Sequence, residues 1–293
     1  MITRSQMLTR RNFLESTAQT ALGLVIPAAW TPQNGAAPAN GARLQLMRNA
    51  TSIIRYGGKV LLLDPLLGEA GILAPINNTP NPKRNPLVPL PIPAAQVVTG
   101  VDATLLTHTH FDHWDDAARE LLPKARTILV QPSDKARVEQ AGFADVRAVE
   151  STMAWEGITF ARTGGQHGRG AVGQRMGTVS GYVLSHAGSP TIYIAGDTIW
   201  CPEVADAITA HKPDVIVVNA GEAQFLAGGP IIMGVDDVVN VCQAAPGATV
   251  VAVHMEAINH CLLTRDGLRA GLGKAAVKAT VLIPRDGEDV RLS

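Results

Sequence analysis

From residue 43 onward, short apolar runs alternate with polar or glycine-rich punctuation, the signature of many strands rather than of long helices. Arg43–Asn49, Ser52–Tyr56 and Lys59–Leu63 read as a three-stranded meander, with Tyr56-Gly57-Gly58 as a tight turn. Further strands are predicted at Ala103–Leu106, Thr127–Gln131, Ile158–Thr163, Gly181–Ser185, Thr191–Ala195, Asp214–Val218, Thr249–Val253 and Val281–Pro284. Helical spacing falls between them, at Asp115–Leu122, Ser133–Ala141, Pro202–His211, Val235–Ala244 and Arg265–Lys278. Asp236 and Asp237 stand at the start of the fourth of these, where carboxylates complement a helix N-terminus. Gly68 to Pro93 shows neither period and contains Asn77-Asn78-Thr79-Pro80-Asn81-Pro82. A loop of that length is functional or disordered; we read it as a lid or wall of an active site, with disorder as the alternative. Strands come first, then α and β alternate, in two rough halves without repetition or a linker. The order predicts one α/β domain with layers α/β/β/α, over residues 43–293.

Residues 1–42 read differently, as a twin-arginine-type signal peptide and linker. Thr9-Arg10-Arg11-Asn12-Phe13-Leu14 resembles a twin-arginine export signal, and an apolar stretch follows from Ala21 to Trp30. That stretch is too short for an ordinary transmembrane span. Small residues follow from Asn34 to Ala42, with an A-x-A site at Ala37-Pro38-Ala39. The expectation is an exported, periplasmic protein with no stable transmembrane segment after processing. Twin-arginine substrates cross the membrane folded, a route suited to a chain that acquires metal before export. The formal net charge of zero, with no basic stripe, argues against nucleic acid as a partner. The three cysteines, Cys201, Cys242 and Cys261, cannot all pair within one chain, and free buried thiols are expected.

The chemistry concentrates in Thr107-His108-Thr109-His110-Phe111-Asp112-His113-Trp114, where four metal-ligating side chains fall within six residues. Such density rarely serves packing, because each buried polar group needs its own partner. Alternate residues of an extended chain face one side, so His108 and His110 aim at one point. Asp112 and His113, at the turn into a helix, then aim at a neighbouring point, which suits two metals side by side. The other candidates share a position rather than a motif. His167, Asp197, His254 and Asp64 each lie just past the C-terminal end of a predicted strand, where loops leaving one sheet edge converge. Of the eight histidines, five occupy the cluster or such strand ends, which makes a common site the economical reading.

The segment His108-x-His110-x-Asp112-His113 resembles the H-x-H-x-D-H signature of the metallo-β-lactamase superfamily, and the order of His167, Asp197 and His254 after it resembles that family too. The resemblance runs from about Leu44 to Glu288 and looks closest to the branch of metal-dependent hydrolases with L-ascorbate-6-phosphate lactonase and the phospholipase D acting on N-acylethanolamine phospholipids. It implies a four-layer αββα sandwich. It implies that His108, His110 and His167 bind one metal, that Asp112, His113 and His254 bind a second, that Asp197 bridges both, and that Asp64 supports the ligand shell. Imidazole and carboxylate without thiolate suit two zinc ions, with manganese or iron as alternatives.

A paired-metal site of this kind lowers the pKa of a bridging water and supplies hydroxide near neutral pH. Asp112 is the residue placed to orient that hydroxide and take a proton, and His260 is a candidate proton donor. Arg84, Gln166, Arg169, Trp200, Asn219, Glu222, Glu256 and Asn259 are candidates for the substrate wall. The expected activity is hydrolysis of a small ester, lactone or phosphodiester. A β-lactamase-like amidase, or a metal-binding protein without catalysis, are the alternatives. The expected partner is a small-molecule substrate, and a homo-oligomer is left open.

Overall fold

Strands buried on both faces need apolar residues at every position, and the central strands of this chain have them. The computed structural model describes residues 41–293. The export motif and the apolar stretch after it lie outside the described residues. In chain order the elements are β1 (Ala42–Arg48), β2 (Thr51–Tyr56), β3 (Lys59–Leu63), α1 (Ala94–Val97), β4 (Ala103–Leu105), α2 (Asp116–Leu121), β5 (Thr127–Val130), α3 (Lys135–Gln140), β6 (Asp145–Ala148), β7 (Thr152–Trp155) and β8 (Ile158–Thr163). They continue with α4 (Gly170–Met176), β9 (Gly181–Ser185), β10 (Ile192–Ile194), α5 (Pro202–His211), β11 (Val215–Asn219), α6 (Val235–Ala244), β12 (Thr249–Val253), α7 (Arg265–Lys274), β13 (Val281–Leu282) and β14 (Asp289–Leu292).

Two seven-stranded sheets form, ordered β14-β1-β2-β3-β4-β5-β6 and β13-β12-β11-β10-β9-β8-β7. Each is antiparallel over one half and parallel over the other. The period of two sorts the side chains between layers. Leu61 and Leu63 of β3, with Val215 and Val217 of β11, enter the core between the sheets. Leu62 turns outward to pack with Ala118 of α2 and Val138 of α3. Ile216 and Val218 turn outward to pack with residues of α5, α6 and α7. The four-layer αββα arrangement expected from the sequence is therefore the one observed. Each fully buried Leu or Val is worth roughly 1.5–3 kcal/mol, so the sandwich supplies a rigid frame independent of the polar site. Among the described residues no helix is long and apolar enough to cross a membrane.

The differences from the expected elements are systematic. The strands missed, β6, β7 and β14, all lie at sheet edges, and β13, also an edge, is shorter than its apolar run suggested. An edge strand is half solvated and short, so its sequence carries no continuous apolar run. The last helix stops at Lys274, four residues before the expected end, where Ala276 takes a positive φ of 50°. The segment from Gly68 to Pro93 has no strand of its own, yet polar ties fix it at both ends. The buried Arg48 guanidinium donates to the carbonyls of Leu66, Gly68 and Val88. The Asn259 amide donates to Ile76 O, Thr79 Oγ1 and Asn81 O, and accepts from Ile76 N and Asn85 Nδ2. These bonds replace the ladder that the loop lacks.

Candidate metal centre

The parallel strands of both sheets end on the same side, and their exits carry the polar cluster. His108 and His110 follow β4. Asp112 and His113 sit in the turn that the amides of His113 and Trp114 close onto His110 O. Asp115 then caps α2 by accepting from Ala118 N, and also accepts from the amides of Leu67 and Gly68. Asp64 follows β3, His167 follows β8, Asp197 follows β10 and His254 follows β12. Gly196, before Asp197, has a φ of 70°, and a Cβ there would stand 2.7 Å from Ser180 O, so the turn that delivers Asp197 requires glycine.

Two groups of donor atoms result. His108, His110 and His167 form one, and Asp112, His113, Asp197 and His254 form the other, the atoms of each group lying within 4.8 Å of one another. All seven residues are buried except His110, which is half-buried. The Asp197 carboxylate stands between the groups: Oδ2 lies 3.1 Å from His113 Nε2, 3.5 Å from His167 Nε2 and 3.9 Å from His108 Nε2, while Oδ1 lies 3.7 Å from His254 Nε2. Asp112 Oδ2 lies 3.4 Å from His254 Nε2.

The chemistry of the donors fits cations. His108 Nε2 and His110 Nδ1 face each other at 2.9 Å, and His113 Nε2 and His254 Nε2 at 3.1 Å. Ring nitrogens turned inward in such pairs present lone pairs to common points, as ligands of an ion do. Electrostatics separates the two groups. Burial pushes His108 below its ordinary value, with the charge of His113 adding to the effect. Burial likewise pushes His167 down to about 4. In the other group burial is outweighed. The carboxylates of Asp197, Asp64 and Asp112 raise His113 to about 10, and Asp197 and Cys261 raise His254. Asp112 and Asp197 are held ionised, well below the usual carboxylate range, because His113 and His254 outweigh their burial. The second group thus asks for positive charge, which protons on the two rings or a metal ion can supply.

Neighbouring residues set the orientation of the donors. Asp64 accepts from Thr107 N at 2.8 Å and Thr107 Oγ1 at 2.7 Å, and pairs with His113 Nδ1 at 2.9 Å. His167 Nδ1 donates to Ile231 O at 2.9 Å. Asn49, which sequence reasoning did not single out, takes a φ of 58°, donates from Nδ2 to Asp112 O at 2.9 Å, and accepts His254 N at its carbonyl. The only signal available was its place at the end of β1, on a sheet edge of the site.

The expected substrate wall is dispersed. Asn219 donates to Asp197 Oδ1 at 2.6 Å, which makes it a support for that carboxylate rather than a surface for substrate. Gln166 is bound to Glu203 of α5. Glu256 is paired with Arg265, and Asn259 is spent on the long loop. Arg84 donates to the carbonyls of Gly71 and Ile72. Trp200 packs against the core under the helices. Arg169 and Glu222 do border a cavity of about 300 Å³, with Ile199, Pro230 and Val235. His260 is buried beside Phe225, and its Nδ1 has no partner among the described residues. All three cysteines are free: Cys201 meets Thr198 at 3.4 Å, while Cys261 meets His254 Nδ1 at 3.4 Å.

Comparison with known proteins agrees with this geometry. The model of a beta-lactamase superfamily domain matches residues 60–255. The UPF0173 protein YddR of Bacillus subtilis is 40% identical over 245 residues, 83% of this chain and 96% of that protein. A UPF0173 metal-dependent hydrolase of Myxococcus xanthus is 26% identical over 98% of this chain and 99% of its own length. Among solved structures, an isothiocyanate hydrolase from Delia radicum gut bacteria superposes with a TM-score of 0.80 at 40% identity, covering 85% of this chain and 98% of that one. A protein of Veillonella parvula, described as a possible metal-dependent hydrolase, superposes with a TM-score of 0.82 at 34% identity, covering 85% and 99%.

Proposed function

The chain belongs to the beta-lactamase superfamily, and from that premise we propose that it is a metal-dependent hydrolase acting on a small, uncharged electrophile such as an isothiocyanate, a lactone or an ester. The observation that carries the reading is the Asp197 carboxylate, set between two groups of inward-facing ring nitrogens. His108, His110 and His167 would hold one ion, Asp112, His113 and His254 a second, and Asp197 would contact both. Two divalent ions, zinc by this donor set or manganese or iron in its place, supply Lewis acidity and activate water near neutral pH.

The chain's own residues do the rest. Asp112, kept ionised, orients the attacking water and accepts its proton. Asn219 and Asp64 hold Asp197 and His113 in place, so the donors need no rearrangement during the reaction. The half-buried His110 marks the face open to substrate. An apolar cluster of Val172, Ala223, Ile231 and Ile232, with Met176 and Phe225, adjoins the centre through Ile231 O on His167 and through Cys261 on His254. Only its partly exposed members, Met176 and Phe225, offer surface to a substrate, and that surface is apolar, which suits an uncharged one. Arg84, a candidate for the substrate wall, is committed to loop carbonyls, which removes one guanidinium that could meet a phosphodiester. The isothiocyanate hydrolase relative is consistent with the same preference.

The test compares zinc-loaded protein with its Asp112→Asn variant on benzyl isothiocyanate, an acyl-homoserine lactone, bis-p-nitrophenyl phosphate and a chromogenic cephalosporin. Faster turnover of the first two, lost in the variant, supports the reading. A phosphodiester or cephalosporin turned over fastest replaces the substrate class, and equal background rates for both proteins reject the hydrolase. We also propose export through the twin-arginine pathway on the Arg10-Arg11 motif. Arg10→Lys with Arg11→Lys should leave unprocessed protein in the cytoplasm, and normal processing of that double variant would refute it.

A further inference from the structure

A histidine that binds metal through one ring nitrogen usually donates the other N–H to an oxygen acceptor, which fixes the ring and its tautomer. Three of the rings follow that rule. The outer nitrogen of His113 meets the Asp64 carboxylate, that of His167 meets the Ile231 carbonyl, and that of His108 meets the Thr107 hydroxyl at 3.1 Å. His254 does not. Its Nε2 is turned to Asp112, His113 and Asp197, and its Nδ1 faces only sulfur, Cys261 Sγ at 3.4 Å.

The backbone is built around that contact. His254 has a left-handed φ of 64°, and its amide is held by Asn49 O. Cys261 pairs with Ala223 in an isolated bridge, and Leu263 N donates to Gly221 O at 3.0 Å, which lays the thiol's segment along residues 221–223. Gly221 makes room for it: a Cβ there would collide with the His254 carbonyl and stand 2.9 Å from Cys261 Sγ.

We propose that Cys261 is a positioning residue for the second metal position, accepting the Nδ1–H of His254 at its sulfur and so aiming Nε2 at the ion. The inference rests on the metal-binding reading above and deepens it. The thiol lies on the outer side of the ring, away from the reacting atoms, so its role is orientation and not attack.

Ser and Ala have nearly equal volumes, so Cys261→Ser and Cys261→Ala differ in hydrogen bonding more than in packing. The affinity of each zinc position is measured by competition with a chromophoric chelator, with Cys242→Ser, a buried thiol of α6, as control. Cys261→Ala should weaken one of the two positions on the order of 10–100-fold, Cys261→Ser should stay within about threefold of wild type, and Cys242→Ser should not change. Equal affinities for the Ala and Ser variants, whether at the wild-type level or both weakened, overturn the proposal. Should the Ala variant not fold, ¹⁵N-histidine NMR of zinc-loaded wild type decides. A His254 Nδ1–H resonance protected from exchange, and shifted in Cys261→Ser, supports the proposal; a His254 ring without a proton on Nδ1 overturns it. Wild-type protein that binds no metal sinks the hydrolase reading itself, whereas two metals with an indifferent Cys261 sink this inference alone.

Discussion

His110 and His254 belong to the two halves of one centre and live in opposite surroundings. His110 is half-buried, in a group of three imidazoles with no carboxylate of its own. His254 is fully buried, and its group carries Asp112 and Asp197 with Asp64 behind them. His108 and His167 are held neutral by burial, whereas His113 and His254 are held charged by the carboxylates beside them. The lesson is that the two groups are not equivalent: the open one has a half-buried face, and the other is closed and charge-paired.

The largest break in that comparison comes from Asp112, the carboxylate that belongs to the closed group alone. Asp112→Asn should lower kcat by roughly 10²–10⁴-fold, since a positioned base is lost, while elemental analysis still finds metal in the open group. Loss of metal from both groups together would show that they are one unit. Next comes stability. Removing one partner from a buried ionic set costs about 3–5 kcal/mol, so His254→Ala should shift the urea midpoint far more than His110→Ala, whose half-buried ring lies outside that ionic set and should cost no more than about 1 kcal/mol. Similar shifts for both variants would erase the distinction. A smaller effect is expected from Asp64→Asn, which should weaken metal binding on the order of 10–100-fold at the closed position and leave the open one unchanged in a chelator competition.

The smallest effect is on pH, in metal-free protein. His113 is raised from its ordinary 6.5 to about 10, so its contribution is fully present below about pH 6.5 and is lost as pH climbs through 10. His167 is lowered to about 4, so its contribution is present above pH 6.5 and is lost as pH falls toward 4. Urea midpoints of chelated protein should fall on both sides of neutrality. His113→Gln should flatten the alkaline limb and His167→Gln the acid limb, and a limb insensitive to its own variant would refute that assignment.

Much of the scaffold was legible because its rules are local. Ile158–Thr163, Gly181–Ser185 and Thr249–Val253 were bounded correctly from apolar runs, and Pro202–His211 and Val235–Ala244 from helical spacing. Edge strands such as Asp145–Ala148 escaped because their polar alternation resembles loop sequence. The grouping of His108, His110 and His167 apart from Asp112, His113 and His254 had been implied by the family resemblance, and the structure brings those side chains together in those sets.

What the sequence alone determined was the cluster of candidate ligands and its position at strand ends. A two-residue period and a strand-to-loop boundary are properties of neighbours in the chain, so they survive without knowledge of the fold. What only the tertiary structure decided was how each other polar side chain is used. Asn259 reaches Asn85 across 174 positions to hold a loop, and Asn219 reaches Asp197 across 22 to hold a carboxylate. Cys261, seven residues from His254, meets its ring only because residues 221–223 and 258–263 run side by side. A hydrogen-bonding group has no preferred partner until folding removes water and leaves one within reach, which is why its role cannot be read from its position in the chain.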